Sequence, residues 1–538
     1  MQHQATSRGG VGIEPPSAPG PFAYDQLPYP GMPFAQTHPG RLATLAALHG
    51  MQPAPPARCR VLELGCGDGG NVIPMACHLP ESVFIGVDLS APAIERGRRM
   101  ISEVGLRNIE LHAGDIAELG PELGEFDYII AHGVYSWVPP AIRAKILSIF
   151  GDCLTPQGVA FVSYNCYPGS YLRDLTRAMM LFHVRAIPDP QQRTRQASAL
   201  IHTLAQASNE NDLYGQVLRS QSERIRTTNP AVLYHDDLDT GATPFFLHQV
   251  LEEAARYGLQ YLTDAHQPLL DVQDLPEPVA KLLGQIPPED WVVREQYFDF
   301  VSGRWFRDTL LCRHTVELRR PVAADSIRDF YVSAEIVTTE TAIDPGKIGT
   351  AAFKTPAGGT ISTDHGLTKA ALLHLGSIWP RSIRMADLAA AAVARLGPAA
   401  EGVKQNFDEE LEALTAILFR SFCARLVQVE AFPPPLTAGI SERPQASLLA
   451  RKQAEAGNVI TDLQHCAIVL EEAICRRLLT LLDGTRTVDQ LVTDLTIAVP
   501  AADGANGTTG MTAAQPVVSR EAVMRNLQLL ARCGLLVA

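Results

Sequence analysis

Short apolar runs separated by longer polar stretches recur between residues 57 and 170 of the chain. Runs this rich in Val, Ile, Leu and Phe are typical of strands that are buried on both faces of a sheet. The runs are Arg60–Leu64, Val83–Asp88, Ile109–His112, Phe126–Ala131 and Gly158–Tyr164. Their alternation with helical stretches predicts a parallel sheet with crossover helices, a doubly wound α/β arrangement of the Rossmann-like kind.

The strand pattern breaks after this point and resumes late in the chain. Residues 171–240 contain long polar stretches with helical periodicity. Two further apolar runs, Leu259–Thr263 and Trp305–Cys312, predict the last strands of the same sheet. We therefore expect one sheet domain over residues 23–318 with a helical insertion, which would overhang the carboxyl edge of the sheet, where ligands bind in such folds.

The segment before the first strand contains one helix signal. Residues 1–22 are rich in Gly, Pro and Ser, which predicts a disordered tail. Thr37 is the predicted N-cap of a helix over Arg41–Leu48, with a proline in its first turn.

The last 220 residues have a different organisation. A weak internal repeat of helix, turn, short helix and longer helix predicts two winged-helix-like α+β modules, over 319–435 and 436–538. The longer helices are expected at Asp408–Val429 and Arg520–Cys533, and residues 498–518 are expected to form a flexible loop. Because these helices carry few basic residues, we expect protein contact or dimerisation rather than DNA binding.

Length, charge and cysteine usage narrow the class of protein. A chain of 538 residues is too long for one core and predicts two to four domains. The net charge of −13, without any basic cluster, disfavours a nucleic-acid partner. The ten cysteines are scattered and none forms a CxxC pair, which predicts neither a disulfide framework nor a metal site. Without a signal peptide or a run of about 18 apolar residues, we expect a cytoplasmic protein with no membrane span.

A glycine-rich turn follows the first predicted strand. The run Glu63-Leu64-Gly65-Cys66-Gly67-Asp68-Gly69 ends that strand and opens a helix. Glycines permit a tight turn and a close approach of the backbone to a ligand, and the helix N-terminus offers free N–H groups. Gly65, Gly67 and Gly70 also satisfy the dinucleotide fingerprint, so that the glycines alone do not identify the cofactor.

Three carboxylates at successive strand ends favour S-adenosylmethionine over NAD. Glu63 can pair with the amino group of a methionine tail but would repel a pyrophosphate, and Asp88 suits a ribose diol. Asp115 can accept a hydrogen bond from an adenine amine, with Ile116 against the ring. The predicted cofactor-binding residues are Glu63, Gly65, Gly67, Asp88, Leu89, Asp115, Ile116 and His132.

These residues, together with several other stretches, resemble one known family. It comprises class I methyltransferases that carry a methyltransferase regulatory domain and includes rickettsial protein-lysine methyltransferases acting on outer-membrane proteins. The similar stretches are Tyr24–Pro30, Thr37–Pro39, Val61–Asn71, Ala131–Pro139, Val162–Asn165 with Pro168-Gly169, Tyr234–Asp236 and Gly258–Leu262. The resemblance implies methyl transfer from S-adenosylmethionine, with a protein lysine amine as the expected acceptor.

Aromatic residues follow the fourth and fifth strands, where an acceptor should lie. Tyr135 and Trp137 are candidates to wall a cationic amine, or else they pack in a loop. Tyr164 and Asn165 are second candidates, and we predict Tyr135 and Tyr164 as the catalytic residues. His132 either contacts the methionine end of the cofactor or caps its strand. Three residues are candidates for a lid, with a linker packed on the sheet as the alternative: Tyr24, Tyr29 and His38.

Other functions stay open at this point. The acceptor is a protein lysine or, as the runner-up, a small molecule. A second class of function is a scaffold that binds S-adenosylmethionine without turnover, and a third is an NAD-dependent enzyme, which Glu63 and Asp115 disfavour. The partners expected are the acceptor and, as a possibility, a second copy of the chain in a homodimer.

Overall fold

The computed structural model describes residues 27–239, 241–266, 275–287, 289–338, 343–356, 358–498 and 518–537. The chain divides into a smaller unit, residues 1–30 with 176–239, and a larger unit, residues 31–175 with 240–538. The predicted tail over 1–22, the lid candidate Tyr24 and nearly all of the predicted loop over 498–518 lie outside the described residues.

A seven-stranded sheet forms the centre of the larger unit, in the order β3-β2-β1-β4-β5-β7-β6. The strands are β1 Arg60–Leu64, β2 Val83–Asp88, β3 Ile109–Ala113, β4 Phe126–Ala131, β5 Leu154–Asn165, β6 Leu259–Asp264 and β7 Phe306–Arg313. The first five strands are parallel, as predicted. The two late strands, for which the sequence pattern predicts no direction, make the sheet mixed, because β7 is antiparallel to both β5 and β6.

The parallel register brings the ends of β1, β2 and β4 to a common edge. Glu63 pairs with Gly86 on one side and with Ile130 on the other. The helices before residue 185 are α1 Pro39–Leu48, α2 Val72–His78, α3 Ala91–Val104, α4 Pro140–Cys153 and α5 Ser170–Val184. Side chains of α1 and α2 pack on one face of the sheet, and side chains of α4 pack on the opposite face.

Helix α1 begins one residue later than its predicted cap implies. His38, not Thr37, is the N-cap, and its side chain accepts a hydrogen bond from the backbone N–H of Gly40. The prediction of Thr37 as the cap is therefore wrong, because the histidine ring replaces the hydroxyl at that position. Thr37 is buried and is turned instead toward Asn71, to which its hydroxyl is hydrogen bonded.

A buried charge network joins β6 and β7 to the helix before β7. Arg307 is fully buried, and its Nε lies 2.8 Å from Asp299. One of its terminal nitrogens lies 3.1 Å from Glu295. Arg304 binds Asp264, at the end of β6, at 2.7 Å. Because isolated buried charges are costly, these pairs depend on one another for compensation.

The smaller unit is helical. Its helices, with the end of α5, are α6 Pro190–Ala207, α7 Leu213–Thr227 and α8 Pro230–Asp237. A small apolar core that includes Met180, Ile201 and Ile225 holds them together. His235 is hydrogen bonded to the backbone oxygen of Leu27 at 2.6 Å.

The remaining elements of the larger unit are helices beside the last two strands of the sheet and a series of short strands and helices after them. Around β7 lie the helices α9 Leu247–Ala255, α10 Glu277–Leu283 and α11 Trp291–Ser302. Beyond it, the strands are β8 Tyr331–Ser333, β9 Val337–Thr338, β10 Ala351–Lys354, β11 Thr360–Thr363, β12 Ile383–Arg384, β13 Gln428–Glu430, β14 Val459–Thr461 and β15 Ala467–Val469. The helices are α12 Gly366–Ile378, α13 Met385–Leu396, α14 Ala400–Gln405, α15 Phe407–Cys423, α16 Leu448–Ala456, α17 Ala473–Leu481, α18 Val488–Ala498 and α19 Arg520–Arg532.

The helix predicted over Asp408–Val429 is shorter in the structure, where it spans Phe407–Cys423. Helix α15 ends at Cys423, and β13 begins at Gln428. Arg425 has a positive φ of 59°, a conformation that a helix cannot contain, and it marks the break. Among the helices of the described ranges, none is long and apolar enough to cross a bilayer.

The buried network gives a first testable prediction. Replacing Asp299 by Ala removes the main partner of Arg307 and leaves its charge buried, which costs about 3–5 kcal/mol. We expect a clear fall of the urea midpoint of the larger unit, followed by tryptophan fluorescence. The control is Glu455→Gln, which breaks an exposed ion pair with Lys452. Equal midpoints for both variants would show that the network contributes nothing.

Candidate cofactor and acceptor site

The glycine turn after β1 adopts a backbone that suits glycine. Gly65 has φ of +73°, and a Cβ there would meet Val134 at 2.4 Å. Gly67 has φ of +57°, but a Cβ there would have no atom within 4 Å. The turn is therefore closed by the β4 loop on one side and open on the other, where a ligand can approach the backbone.

Asp88 ties the glycine turn to the end of β2. One carboxylate oxygen accepts a hydrogen bond from the backbone N–H of Gly67 at 2.8 Å, and the other accepts one from Ser90 at 2.8 Å. Each carboxylate oxygen can accept a second hydrogen bond. Asp88 thus orders the turn and retains the capacity to bind a diol, in line with its predicted role.

Glu63 is a buried acid of this edge whose pKa is strongly raised. It is 3% exposed, and one oxygen accepts a 2.7 Å hydrogen bond from the side-chain amide of Asn71. The other oxygen is buried and has no hydrogen-bond partner among the residues that the structure describes. Burial, with a smaller contribution from the charge of Asp88, raises the pKa of Glu63 to about 8. A buried oxygen without a partner fits the ammonium group of a methionine tail.

Asp115 lies at the end of β3, as the motif predicts, and is exposed. One of its oxygens caps a short 3₁₀ helix by accepting from the N–H of Ala117 at 2.9 Å. Ile116 is half-buried, and Leu89 is 58% exposed beside Asp88. The N–H of Gly114 donates to the backbone oxygen of Asp88 at 2.9 Å, which joins the ends of β3 and β2. The roles of Asp115, Ile116 and Leu89 toward the adenosine stay predictions.

His132 lies in an aromatic stack directly after β4. Its ring stacks on Phe34 with centroids 3.9 Å apart, and Phe161 and Phe306 lie at 5.8 and 6.2 Å. Burial lowers the pKa of His132 to about 4, so that the ring is neutral at physiological pH. A neutral ring can lie beside a cationic ligand without repelling it. Phe34 was not singled out by the sequence pattern.

The two tyrosines predicted as catalytic lie in the core. Tyr135 is fully buried, and its hydroxyl donates to Glu253 at 2.8 Å. Tyr164 is 1% exposed, and its hydroxyl is hydrogen bonded to Thr309 at 2.9 Å. Both belong to the apolar core on the α4 face of the sheet, whereas Phe161 belongs to the core on the other face. The burial and pairing of both hydroxyls argue against contact with an acceptor.

The antiparallel pairing of β5 with β7 places Phe306 and Asp308, near the start of β7, beside the carboxyl end of β5. Ser163 accepts from the N–H of Gly133 at 2.7 Å and pairs with Asp308 across the sheet, and Asn165 pairs with Phe306. Side chains alternate along a strand, so Phe306 and Asp308 face away from Arg307 and Thr309 and toward the α1 side. Asn165 is buried, and its predicted place near an acceptor is compatible with this geometry.

Asp308 is the second perturbed acid of the edge, and sequence reasoning missed it. It is 5% exposed, and its Oδ1 has no hydrogen-bond partner within the described part of the chain. Burial and the nearby charge of Asp264 hold its pKa above the usual range, although Arg304 opposes this. The available signal was a charged pair, Arg307-Asp308, inside an otherwise apolar strand.

The two lid candidates within the described residues, His38 and Tyr29, belong to different units. His38 caps α1, and burial lowers its pKa to about 3. Tyr29 belongs to the smaller unit, where its ring lies 5.9 Å from that of His235. A lid role for either residue stays a prediction, as does the homodimer.

Three family models match the chain. Residues 61–158 match a methyltransferase domain, and residues 229–313 match a predicted methyltransferase regulatory domain. Residues 442–532 match the PKMT C-terminal winged-helix domain. The winged-helix expectation is thereby confirmed for the last part of the chain, whereas the domain boundaries given from sequence stay predictions.

Sequence relatives and one solved structure agree with these matches. An uncharacterized protein of Rickettsia prowazekii, RP789, is 35% identical over 58% of this chain, and the match spans 57% of that protein's length. A second, RP028, is 35% identical over 45% of this chain and 97% of its own length. The structure of PKMT2 from Rickettsia typhi, solved in complex with AdoHcy, matches 95% of this chain and all of that chain, with 30% identity and a TM-score of 0.83.

The sheet, the glycine turn and the strand-end carboxylates define a methyltransferase of class I, whose cofactor is S-adenosylmethionine. Within that class, the chain belongs to the family of methyltransferases that combine the regulatory domain with the PKMT winged-helix domain. The resemblance seen in the sequence is thus confirmed, and the NAD alternative is set aside.

The cofactor site gives a second prediction. Replacing Asp88 by Ala removes two hydrogen bonds from backbone N–H groups, and with them the predicted acceptor for the ribose diol. Because hydrogen bonds to a charged group contribute about 1.5–3 kcal/mol each, we expect calorimetric titration to show at least tenfold weaker binding of AdoHcy. The matched control is Asp127→Ala, which removes a carboxylate at the amino-terminal end of β4, away from the carboxyl ends of the strands. Equal affinity in the two variants would contradict the assignment.

Glu63 gives a third prediction, which concerns pH. With a pKa of about 8, Glu63 is mostly protonated at pH 7 and must lose its proton to pair with an ammonium. AdoHcy binding should therefore release close to one proton at pH 7, and affinity should rise with pH until about pH 8. Calorimetry in buffers of different ionisation enthalpy measures the release. Subtracting the release in Glu63→Gln removes the ligand's own titration, and an unchanged value in this variant would exclude Glu63 as the source.

Proposed function

We propose that this chain transfers the methyl group of S-adenosylmethionine to the side-chain amine of a protein lysine. The observation that carries the proposal is Asp308, a buried carboxylate without a hydrogen-bond partner in the described ranges, on the aromatic side of the sheet edge. A buried carboxylate favours a cationic partner, because an unpaired charge is costly in such surroundings. The similarity to PKMT2 supports the same choice, since the family that the sequence resembles includes rickettsial protein-lysine methyltransferases.

The acceptor site in this proposal has one charged and several apolar walls. Phe306 precedes Asp308 by two residues on the same strand face, and its ring lies 6.2 Å from that of His132. Phe34 covers the other side of the histidine ring. Aromatic rings attract an alkylammonium group and exclude water from it. A lysine side chain, with a long apolar stem and a cationic tip, is complementary to these walls.

A lysine must be neutral to attack a methyl group. Burial raises the proton affinity of Asp308, so its carboxyl first releases its own proton to solvent as the cationic lysine enters, just as Glu63 does for the methionine ammonium. Burial also disfavours the charged amine, so that both shifts then favour transfer of a proton from the ammonium to the carboxylate. The cofactor supplies an activated methyl group on a sulfonium. The lysine nitrogen forms a bond to that carbon as the carbon–sulfur bond breaks, and the sulfur retains the electron pair.

The remaining residues orient the reactants rather than react with them. Ser163 holds the loop after β4 through the N–H of Gly133, which keeps His132 under Phe34. The neutral His132 adds no charge that would repel the sulfonium or the incoming lysine. Because the methyl donor is already activated, positioning and loss of the amine proton account for the contribution of the protein.

The acceptor is tested by identifying the methylated atom. The purified enzyme is incubated with labelled S-adenosylmethionine and unstructured lysine-bearing polypeptides, and the acid hydrolysate is analysed for methylated amino acids. We expect label in Nε-methyllysine, and none when every lysine is replaced by arginine. Label only in small amines of the mixture would favour the small-molecule alternative. Binding of AdoHcy without turnover on any amine would favour the scaffold.

Asp308 gives a fourth prediction. Replacing Asp308 by Asn preserves its shape but removes the charge and the proton acceptor. We expect kcat/KM for the lysine acceptor to fall about a hundredfold, within the range known for general bases, while the Kd for AdoHcy stays unchanged. Asp127→Asn is the matched control on the same sheet. Wild-type turnover in D308N would remove the main support for this acceptor site.

A further inference from the structure

A side chain of the C-terminal winged-helix domain, His465, is linked by hydrogen bonds to Glu63, the carboxylate predicted to bind the cofactor. The hairpin of β14 and β15 places His465 in its turn, where the ring is 1% exposed. The ring Nε2 lies 2.8 Å from the side-chain oxygen of Asn71, which is 394 residues away in the sequence. Asn71 in turn donates to Glu63 at 2.7 Å. A continuous path of two hydrogen bonds thus joins the winged helix to the cofactor edge.

We infer that His465 is a positioning residue of the cofactor site: through Asn71 it orients Glu63 toward the ammonium group of S-adenosylmethionine. The winged-helix domain would then be a component of the methyltransferase site and not only an appended module. The inference concerns cofactor binding and does not depend on which acceptor is methylated.

The hydrogen bonds of Asn71 determine how its amide is oriented. Its nitrogen donates to Glu63 and to Thr37, at 2.7 and 3.0 Å. Its oxygen accepts from the backbone N–H of Phe34 at 3.0 Å and from His465. Rotating the amide by 180° would set oxygen against the Glu63 carboxylate and NH₂ against the N–H of Phe34. The orientation that donates to Glu63 is therefore the one that the surroundings permit.

The same set of bonds determines the tautomer of His465. Since the asparagine oxygen is an acceptor, Nε2 of the ring must carry the hydrogen. Burial and the neighbouring rings of His38 and His78 hold the pKa of His465 well below its usual value, so that the ring is neutral. A neutral donor can hold Asn71 without adding a positive charge that would compete with the ammonium for Glu63.

The turn that carries His465 has an uncommon backbone conformation that is held by side-chain hydrogen bonds. His465 has a positive φ of 64°, which is uncommon for a residue other than glycine and costs conformational energy. The carboxylate of Asp462 holds the turn by accepting from the N–H groups of Gln464 and Cys466, at 3.0 and 2.7 Å. The hydrogen bonds of Asp462 thus hold the backbone conformation that places the buried ring of His465 against Asn71.

The path also reaches the acceptor side. Asn71 holds the backbone of Phe34, and the Phe34 ring covers His132. A change at His465 should therefore act first on cofactor affinity and secondarily on the order of the aromatic wall.

The test variant is His465→Asn. Asparagine tolerates positive φ, which preserves the turn, but its short amide does not reach the place of Nε2. We expect the Kd for AdoHcy, measured by calorimetry, to rise about five- to fiftyfold, as for loss of one buried hydrogen bond. The KM for S-adenosylmethionine should rise similarly, with kcat changed less than twofold. His465→Gln, whose amide reaches that place, should restore most of the affinity, and Gln464→Ala in the same turn should bind as the wild type does.

A double-mutant cycle separates positioning from a general loss of structure. Because His465 acts through Asn71, the variant H465N should have no further effect on the Kd in an Asn71→Ser background. Independent, additive losses would overturn the proposal, as would wild-type affinity in H465N or equal weakness of H465Q and H465N. If H465N does not fold, N71S alone decides, since wild-type AdoHcy affinity in that variant excludes the path to Glu63.

Discussion

The hydrogen bond between Asn71 and Glu63 is the interaction on which the catalytic edge depends. Glu63 lies buried at the end of β1, and a buried carboxylate needs a compensating partner. Asn71 satisfies one oxygen and leaves the other without a partner in the described structure. The early turn at Thr37, the backbone of Phe34 and His465 all bind the same asparagine. Segments from both ends of the chain are thus ordered around one amide.

The sheet and the cofactor carboxylates were accessible from sequence because their signals are local. Strands β1, β2 and β4 have the predicted bounds, since each is an apolar run of the kind that is buried on both faces of a sheet. In a parallel sheet the carboxyl ends meet at one edge, so the order of Glu63, Asp88 and Asp115 predicts their proximity. The register observed between β1, β2 and β3 follows from the same pattern.

The rest of the site depends on contacts that no local pattern contains. Asp308 and His465 reach the edge through an antiparallel strand and a distant hairpin, and neither is announced by spacing from the glycine motif. A catalytic role for Tyr164 stays a prediction, and its position in the core follows from the alternation along β5, which places Ser163 on the opposite face. Helix α15 stops where Arg425 takes a left-handed conformation, which an amphipathic pattern does not signal.

The two buried acids of the edge differ in a way that matches the two cations of the proposed reaction. Glu63 retains a permanent neutral donor, Asn71, which lowers its pKa against the effect of burial. That arrangement suits an ammonium that stays charged throughout, as the methionine amino group does. Asp308 has no such donor among the residues that the structure describes, and burial, with a smaller contribution from the charge of Asp264, holds its pKa above the usual range. An acid that gains and loses a proton easily is what a lysine acceptor requires, because its amine must be charged on arrival and neutral at the moment of attack. The neutral His132 contacts both a Phe34 held by Asn71 and the Phe306 that precedes Asp308, so that an aromatic cluster links the surroundings of the two acids without adding a charge.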